Sequence, residues 1–415
     1  MEGWGGRIAA GYTPSMDWGQ MVQRLLIVAG EASGDLHGGH LACALRAQQP
    51  TLQLMGVGGR RMREAGVELL FDIRDLAVVG AVEAVHSLRT LWAVYRTLLA
   101  EVERAPVDAV LLIDFPGFNL KLAKALAQRG IPVLYYIAPQ VWAWHPGRLK
   151  KIQRRVRQLF VILPFETALY HEAGIEAEFV GHPLLDLVPS SGAKADACIK
   201  CGLDPEAPVV GILPGSRRSE LHYLLRPMLE AAALVRARMT TVQLILPLAE
   251  TLQPADVQEA LETTRIPVRL VQRQTYEAMQ AADVLLVASG TATLEAALIG
   301  TPMAIVYKAH LLTYLLARLV MRVSRIGLPN IIAGRAIVPE LWQYDVTAEN
   351  MAAQALALLT SPECATAMRM ELAALRNLLG TPGVPERVAS GIIHFLGTCV
   401  SQPVAAEGTC QVARP

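Results

Sequence analysis

The sequence predicts an α/β protein of two Rossmann-like domains that face one another across a cleft. Three observations carry this. Short apolar runs, each bounded by Gly, Pro, Asn or Asp and followed by a helix-forming stretch, recur in two successive series. An interval rich in Pro, Ser, Gly and Ala, at 187–207, separates the series and reads as a linker. The chain has 415 residues, too many for one compact core and suited to two domains. The expected division is an N-terminal extension at 1–21, a first domain at 22–186, the linker, and a second domain at 208–380. A terminal helix at 381–400 would pack back on the first domain, and 401–415 would be a disordered tail.

Composition excludes several classes of function. Apolar residues make up 53% and charged residues 18%, the balance of a folded enzyme and not of a disordered chain. A net charge of +1 gives no electrostatic case for a nucleic-acid partner. The lone C-x-x-C at Cys198 and Cys201 has no second pair and no nearby His, so no metal site is expected. Scattered cysteines fit a reducing cytoplasm. No run of about 18 apolar residues suggests a membrane span.

In chain order, the first strand is 24–29, followed by Gly30-Glu31-Ala32-Ser33-Gly34-Asp35 and a helix beginning near Leu36. This turn resembles a phosphate cradle, but its spacing is neither G-x-G-x-x-G nor a P-loop. A second strand at 52–57 leads to an unusually apolar stretch, Leu69-Leu70-Phe71 and 76–82 with Val78, Val79 and Val82. That stretch either packs into the core or forms an exposed greasy patch. The strand 109–113 ends in Asp114, where open α/β sheets bind ligands, and the residue is either a general base or a helix cap. The strand 133–137 ends in an aromatic cluster containing Trp142, Trp144 and His145. A basic helix follows, opened by Arg148, which either is solvated or faces anionic groups.

The second series opens with strand 209–213 and the turn Pro214-Gly215-Ser216-Arg217. There Arg217 is placed to grip a phosphate by charge-assisted hydrogen bonds. Its centre is 284–308: a buried strand, the small hydroxylated loop Ser289-Gly290-Thr291-Ala292-Thr293, a helix carrying Glu295, and a further strand. Such a loop lets anions approach backbone N–H groups at a helix N-terminus. Glu295 lacks a Ser or Thr three residues earlier, so it is no capping-box member and is free to accept from a vicinal diol such as a ribose. Beyond it lie an apolar helix at 310–323 carrying Arg318 and Arg322, and a turn that could return Asn330 to the cleft.

Taken together, five strings resemble the lipid-A-disaccharide synthase family in their order. They are Gly30-Glu31-Ala32-Ser33-Gly34-Asp35, Pro139-Gln140-Val141-Trp142-Ala143-Trp144, Leu213-Pro214-Gly215-Ser216-Arg217, Ser289-Gly290-Thr291-Ala292-Thr293-Leu294-Glu295 and Leu328-Pro329-Asn330. The resemblance spans about residues 24–395 and implies a GT-B glycosyltransferase. Such an enzyme moves 2,3-diacylglucosamine from UDP-2,3-diacylglucosamine to 2,3-diacylglucosamine 1-phosphate, making a β-1′,6 linkage and releasing UDP. It also implies peripheral attachment to the inner face of the inner membrane, a homodimer exchanging C-terminal segments, and no metal or other cofactor.

By resemblance, Gly215, Ser216, Arg217, Asn330 and the loop Ser289, Gly290, Thr291 and Thr293 would hold UDP, with Glu295 on the ribose. Asp114 is the candidate base. Glu31, Ser33, Gly34, Asp35, Trp142, Trp144 and Arg148 would form the acceptor side, and Leu69, Leu70, Val78, Val79 and Val82 would meet acyl chains or the bilayer. The chain departs from the family's pattern twice. Gly117 stands where relatives often carry Asp, which leaves Asp114, Glu31 or Asp35 to act as base. His145 stands where relatives often carry Arg, with Arg148 able to cover an acceptor phosphate. The competing readings are another UDP-GlcNAc transferase or 2-epimerase of similar fold, and a non-catalytic UDP- or lipid-binding protein.

Overall fold

The structure, a computed structural model, describes residues 23–75, 83–142, 147–189, 192–310 and 325–400, without the side chains of 75, 83–88, 399 and 400. Two all-parallel sheets are formed. The first contains β1 (Arg24–Ala29), β2 (Gln53–Gly58), β3 (Glu68–Asp72), β4 (Ala109–Ile113), β5 (Val133–Tyr136), β6 (Gln158–Val161) and β7 (Ala177–Phe179). Its spatial order is β3-β2-β1-β4-β5-β6-β7. The second contains β8 (Val209–Leu213), β9 (Gln243–Leu248), β10 (Val268–Gln272), β11 (Val284–Ala288), β12 (Met303–Tyr307) and β13 (Glu340–Trp342), ordered β10-β9-β8-β11-β12-β13.

The central strands β1, β4, β8 and β11 are almost wholly buried, as unbroken apolar runs covered by helices on both faces require. This is the doubly wound pair the sequence predicts. In each sheet the strand order reverses once, between β1 and β4 in the first and between β8 and β11 in the second. Loops at the carboxyl ends of strands diverge at such a point and leave a crevice for ligand. Trp142, Ile162 and Phe165, beyond the ends of β5 and β6, pack against the second domain's core, so this edge of the first sheet faces the other domain.

One expectation meets a different structure, and one open alternative receives a partial answer. The interval 187–207 is not all linker, because Lys194–Cys201 is a helix that buries Ala197, Cys198 and Cys201 in the second domain's core. Its small residues permit close packing against the helix Thr275–Ala281, and its Gly202 ends the helix in a left-handed conformation. Leu69 and Leu70 form part of the edge strand β3. Both are half-buried, packed against the cores on opposite faces of the first sheet. Val78, Val79 and Val82, expected to continue the apolar surface, lie outside the described residues, as do Trp144, His145, the stretch 311–324, and both termini.

The helix Val384–Val400 packs on the helix Ala32–Gln48 of the first domain. Its Val384, Val388, Ala389, Ile392 and Leu396 are buried with Leu25, Ile27 and Phe160. The crossing is pinned by Asp186, whose carboxylate accepts from the N–H groups of Gly383 (2.6 Å) and Val384 (3.0 Å). Among the described residues no helix is long and apolar enough to cross a membrane.

Candidate active site

Glu31 and Asp114 in the first domain, and Arg217 and the loop Ser289–Thr293 in the second, stand at the two points where the strand order reverses. In the first domain, β1 runs into Gly30 and Glu31, and β4 into Asp114. Asp114 and Phe115 both take left-handed backbone angles (φ 45° and 48°), and Ile137 after β5 does the same (φ 58°). For non-glycine residues this costs about 1–2 kcal/mol each, so three at one sheet edge mark a place where geometry outranks stability. Gly30 makes the turn possible: a Cβ there would stand 2.2 Å from Cδ1 of the Phe115 ring. Burial, and then the neighbouring Glu31 charge, raise the Asp114 carboxyl above the usual carboxylate range. Among the described residues no atom lies within 4 Å of where a Cβ on Gly117 would be.

Asp35 does not join this pair. It is buried, and its carboxylate accepts from the N–H groups of Gly59 (2.6 Å), Arg61 (3.0 Å) and Met62 (3.0 Å). Both oxygens are spent holding the helix Arg60–Glu64, which removes Asp35 from the candidates for a base. Ser33 is exposed in the first turn of its helix, and Gly34 is buried against Ala29. Trp142 is half-buried, its ring edge-on to Phe165 at 5.2 Å and its indole N–H donating to Glu166 (3.1 Å). Arg148 is half-buried at the start of its helix, near enough for its charge to act on Tyr135.

Glu166, which the sequence does not single out, is 1% exposed and ties the aromatic loop to the end of β6 through Trp142 and the Leu163 N–H (3.1 Å). Burial raises its carboxyl to about 7, against two hydrogen bonds that favour the ionised form. Its folded pKa therefore exceeds the unfolded value of 4.5. Unfolding releases a proton between these values, so stability is lost as pH rises through that window and the loss is complete above it. Glu166→Gln abolishes this slope while keeping one acceptor for the indole. Its melting temperature relative to wild type is expected to rise by about 2–5 °C between about pH 5 and about pH 8. A flat difference in calorimetry would refute the assignment.

In the second domain, β8 runs into Gly215, Ser216 and Arg217. Gly215 has φ 115°, and the carboxylate of Glu220 folds back to accept from the N–H groups of Ser216 (2.8 Å) and Arg217 (3.2 Å). This starts the helix Arg218–Arg238 cleanly, and the Arg217 side chain, 78% exposed, is held only by a loose 3.5 Å pairing with Glu220 that it can leave for an anion. From β11 come Ser289, Gly290 and the helix Thr291–Ile299, whose N-cap Gly290 makes no side-chain cap bond. Thr291 is exposed in its first turn, while Thr293 is buried and donates back to the Gly290 carbonyl (2.7 Å).

Glu295 lies in the second turn of that helix, and Tyr276, which sequence reading misses, donates its hydroxyl to one Glu295 oxygen (2.9 Å). Burial raises the Glu295 carboxyl, while the Tyr276 hydrogen bond lowers it. Ser289 donates to the Ile326 carbonyl (2.9 Å), tethering the approach to Asn330. Asn330 itself is 1% exposed, and its carboxamide is fully employed. It donates to the Val338 carbonyl (2.8 Å) and Glu340 (2.7 Å), and accepts from the Ile337 (2.7 Å) and Val338 (3.0 Å) N–H groups. Asn330 therefore shapes the loop, and any contact with a ligand falls to the backbone it holds. Among the described residues no three His, Cys, Asp or Glu side chains converge as a metal site would need.

A family model for lipid-A-disaccharide synthetase matches residues 25–379. Similar curated proteins include the lipid-A-disaccharide synthase of Geobacter sulfurreducens, 44% identical over 90% of this chain and 97% of the relative. That of Syntrophus aciditrophicus is 45% identical over 88% and 96%. The chain belongs to the lipid-A-disaccharide synthase family. Solved structures at far lower identity agree on the fold. The UDP-GlcNAc 2-epimerase of Neisseria meningitidis, bound to UDP-GlcNAc, has a TM-score of 0.61 at 12% identity, covering 90% of this chain and all of its own. MurG of Acinetobacter baumannii has a TM-score of 0.54 at 15% identity, covering 90% and 99%. This member of the synthase family thus has the GT-B architecture, with its conspicuous polar residues divided between the two domains.

Proposed function

We infer that the chain is an inverting glycosyltransferase that makes the lipid A disaccharide. It takes UDP-2,3-diacylglucosamine as donor and 2,3-diacylglucosamine 1-phosphate as acceptor. Membership of the synthase family, over nine-tenths of the chain, is the observation that carries this reading. In the reaction, the acceptor's 6-hydroxyl oxygen attacks the donor's anomeric carbon. The bond from that carbon to the diphosphate breaks on the opposite face, UDP leaves with the bonding electrons, and the hydroxyl proton passes to a base.

Asp114 is the proposed base. Its burial and the Glu31 charge raise its proton affinity, which suits a group that must gain a proton as the new bond forms. The leaving diphosphate gains charge, and Arg217 together with the open N-terminus of the helix Thr291–Ile299 would stabilise it. Glu295, with one oxygen held by Tyr276, would accept from the ribose hydroxyls with the other. Trp142, Arg148 and Glu31 would line the acceptor side. Both substrates carry acyl chains, so the enzyme would work against the inner face of the inner membrane, as a homodimer. The exposed Trp92, with Arg96 4.7 Å over its ring on the helix Glu83–Arg104, offers that surface an amphipathic contact.

The test is a thin-layer assay in detergent with purified protein, the UDP-sugar donor and radiolabelled acceptor. A slower-moving labelled disaccharide with stoichiometric UDP is expected. UDP binding without turnover would overturn the reading in favour of a binding protein, and conversion of the donor without acceptor would favour an epimerase.

A further inference from the structure

The strained turn after β4 is held by two buried side chains that no step of the reaction uses. Tyr135, in β5, donates its hydroxyl to the Asp114 main-chain carbonyl (2.6 Å). Asn119, one turn into the helix Pro116–Gln128, donates its amide to the same carbonyl (2.7 Å) and to that of Ile113 (3.2 Å). Both residues are fully buried. Polar groups in such a place are unfavourable unless their hydrogen bonds are made, and a Phe and a Leu would fill the same space without that demand. Asn119 even leaves its own Oδ1 buried with no partner among the described residues. What these residues supply is a pair of donors converging on one acceptor.

That acceptor belongs to the first of two consecutive left-handed residues. The Asp114 N–H is fixed to the Tyr136 carbonyl (3.1 Å), and the Phe115 ring is seated on Gly30. With its carbonyl released, the Asp114–Phe115 peptide could rotate toward the right-handed region and carry the carboxylate with it.

We propose that Tyr135 and Asn119 are positioning residues that clamp the Asp114 carbonyl, holding the Asp114–Phe115 elbow in its left-handed form and so aiming the carboxylate at the acceptor hydroxyl. The proposal rests on Asp114 being the base. Tyr135→Phe removes a single oxygen and keeps the packed ring, and Asn119→Leu removes the amide. Each is expected to lower kcat about 10-fold while leaving KM for the UDP-sugar and the affinity for UDP within about two-fold.

Because the clamp acts through Asp114, adding Tyr135→Phe to Asp114→Asn should lower the residual rate by less than about two-fold. An undiminished loss in the Asp114→Asn background would assign Tyr135 to the fold and overturn the clamp. Full kcat in both Tyr135→Phe and Asn119→Leu, beside a crippled Asp114→Asn, would overturn the clamp alone. Full kcat in Asp114→Asn would overturn the base and the clamp together. If Asn119→Leu accumulates poorly, Tyr135→Phe decides the matter.

Discussion

Asp114→Asn is expected to lower kcat by about 10²–10⁴-fold, the range general-base catalysis supplies, with UDP affinity unchanged. The amide keeps the size of the side chain, and the bonds from Tyr135 and Asn119 survive because they run to the Asp114 carbonyl and not to its carboxylate. The rate should also report the environment of the carboxyl. A base works only when ionised, so activity falls as pH drops through its pKa, and burial and Glu31 have raised that pKa. The acid limb of kcat/KM should therefore stand above the ordinary carboxylate range. Glu31→Gln, by removing one of the two causes, should move that limb to lower pH. An acid limb unmoved by Glu31→Gln would dissociate it from Asp114.

Glu295→Ala is expected to weaken UDP binding by about 10–100-fold, the value of one or two hydrogen bonds to a charged acceptor. The variant leaves the fold of the helix Thr291–Ile299 intact, because its buried side chains are Thr293, Leu294, Ala296, Ala297, Leu298 and Ile299. Calorimetric titration with UDP and with its 2′,3′-dideoxy analogue separates the ribose from other causes. Wild type should discriminate between the two ligands and Glu295→Ala should not. Tyr276→Phe should fall between them, since it unfastens one Glu295 oxygen without removing the carboxylate. Equal discrimination by wild type and Glu295→Ala would place the ribose elsewhere.

The sheets were legible because buried parallel strands are unbroken apolar runs, and their ends are marked by Gly, Ser, Thr and Asp where the chain must turn. The same signal located Asp114 and Arg217 just beyond strand ends and Glu295 in the helix that follows one. It could not say which polar residues look outward. Asp35 and Asn330 follow strand ends or turns in the sequence much as Asp114 does, but both lie in the first turn of a helix, where one holds a neighbouring helix and the other knits a loop together. Tyr135 is hidden in Val133-Leu134-Tyr135-Tyr136-Ile137, where only the ring contributes to the apolar pattern and the hydroxyl that grips Asp114 contributes nothing. Glu166 looks like an ordinary first-turn carboxylate until the indole of Trp142, 24 positions earlier, is seen to rest on it. Composition misled at 194–201, where small residues serve helix packing and not a flexible joint.

The return of the helix Val384–Val400 to the first domain has a consequence for biosynthesis. One face of the first sheet is sealed jointly by the helix Ala32–Gln48 and by residues that follow the entire second domain. At about 5–20 residues per second, a ribosome needs tens of seconds to pass from β7 to Leu396. Throughout that interval Ile27, Leu45 and Phe160 lack part of their cover, so the domain made first is the one completed last. Domains that usually mature in order from the N-terminus are here obliged to finish together, and a gene cut between the sheets would yield a first half with an exposed apolar face and a shortened lifetime in the cell.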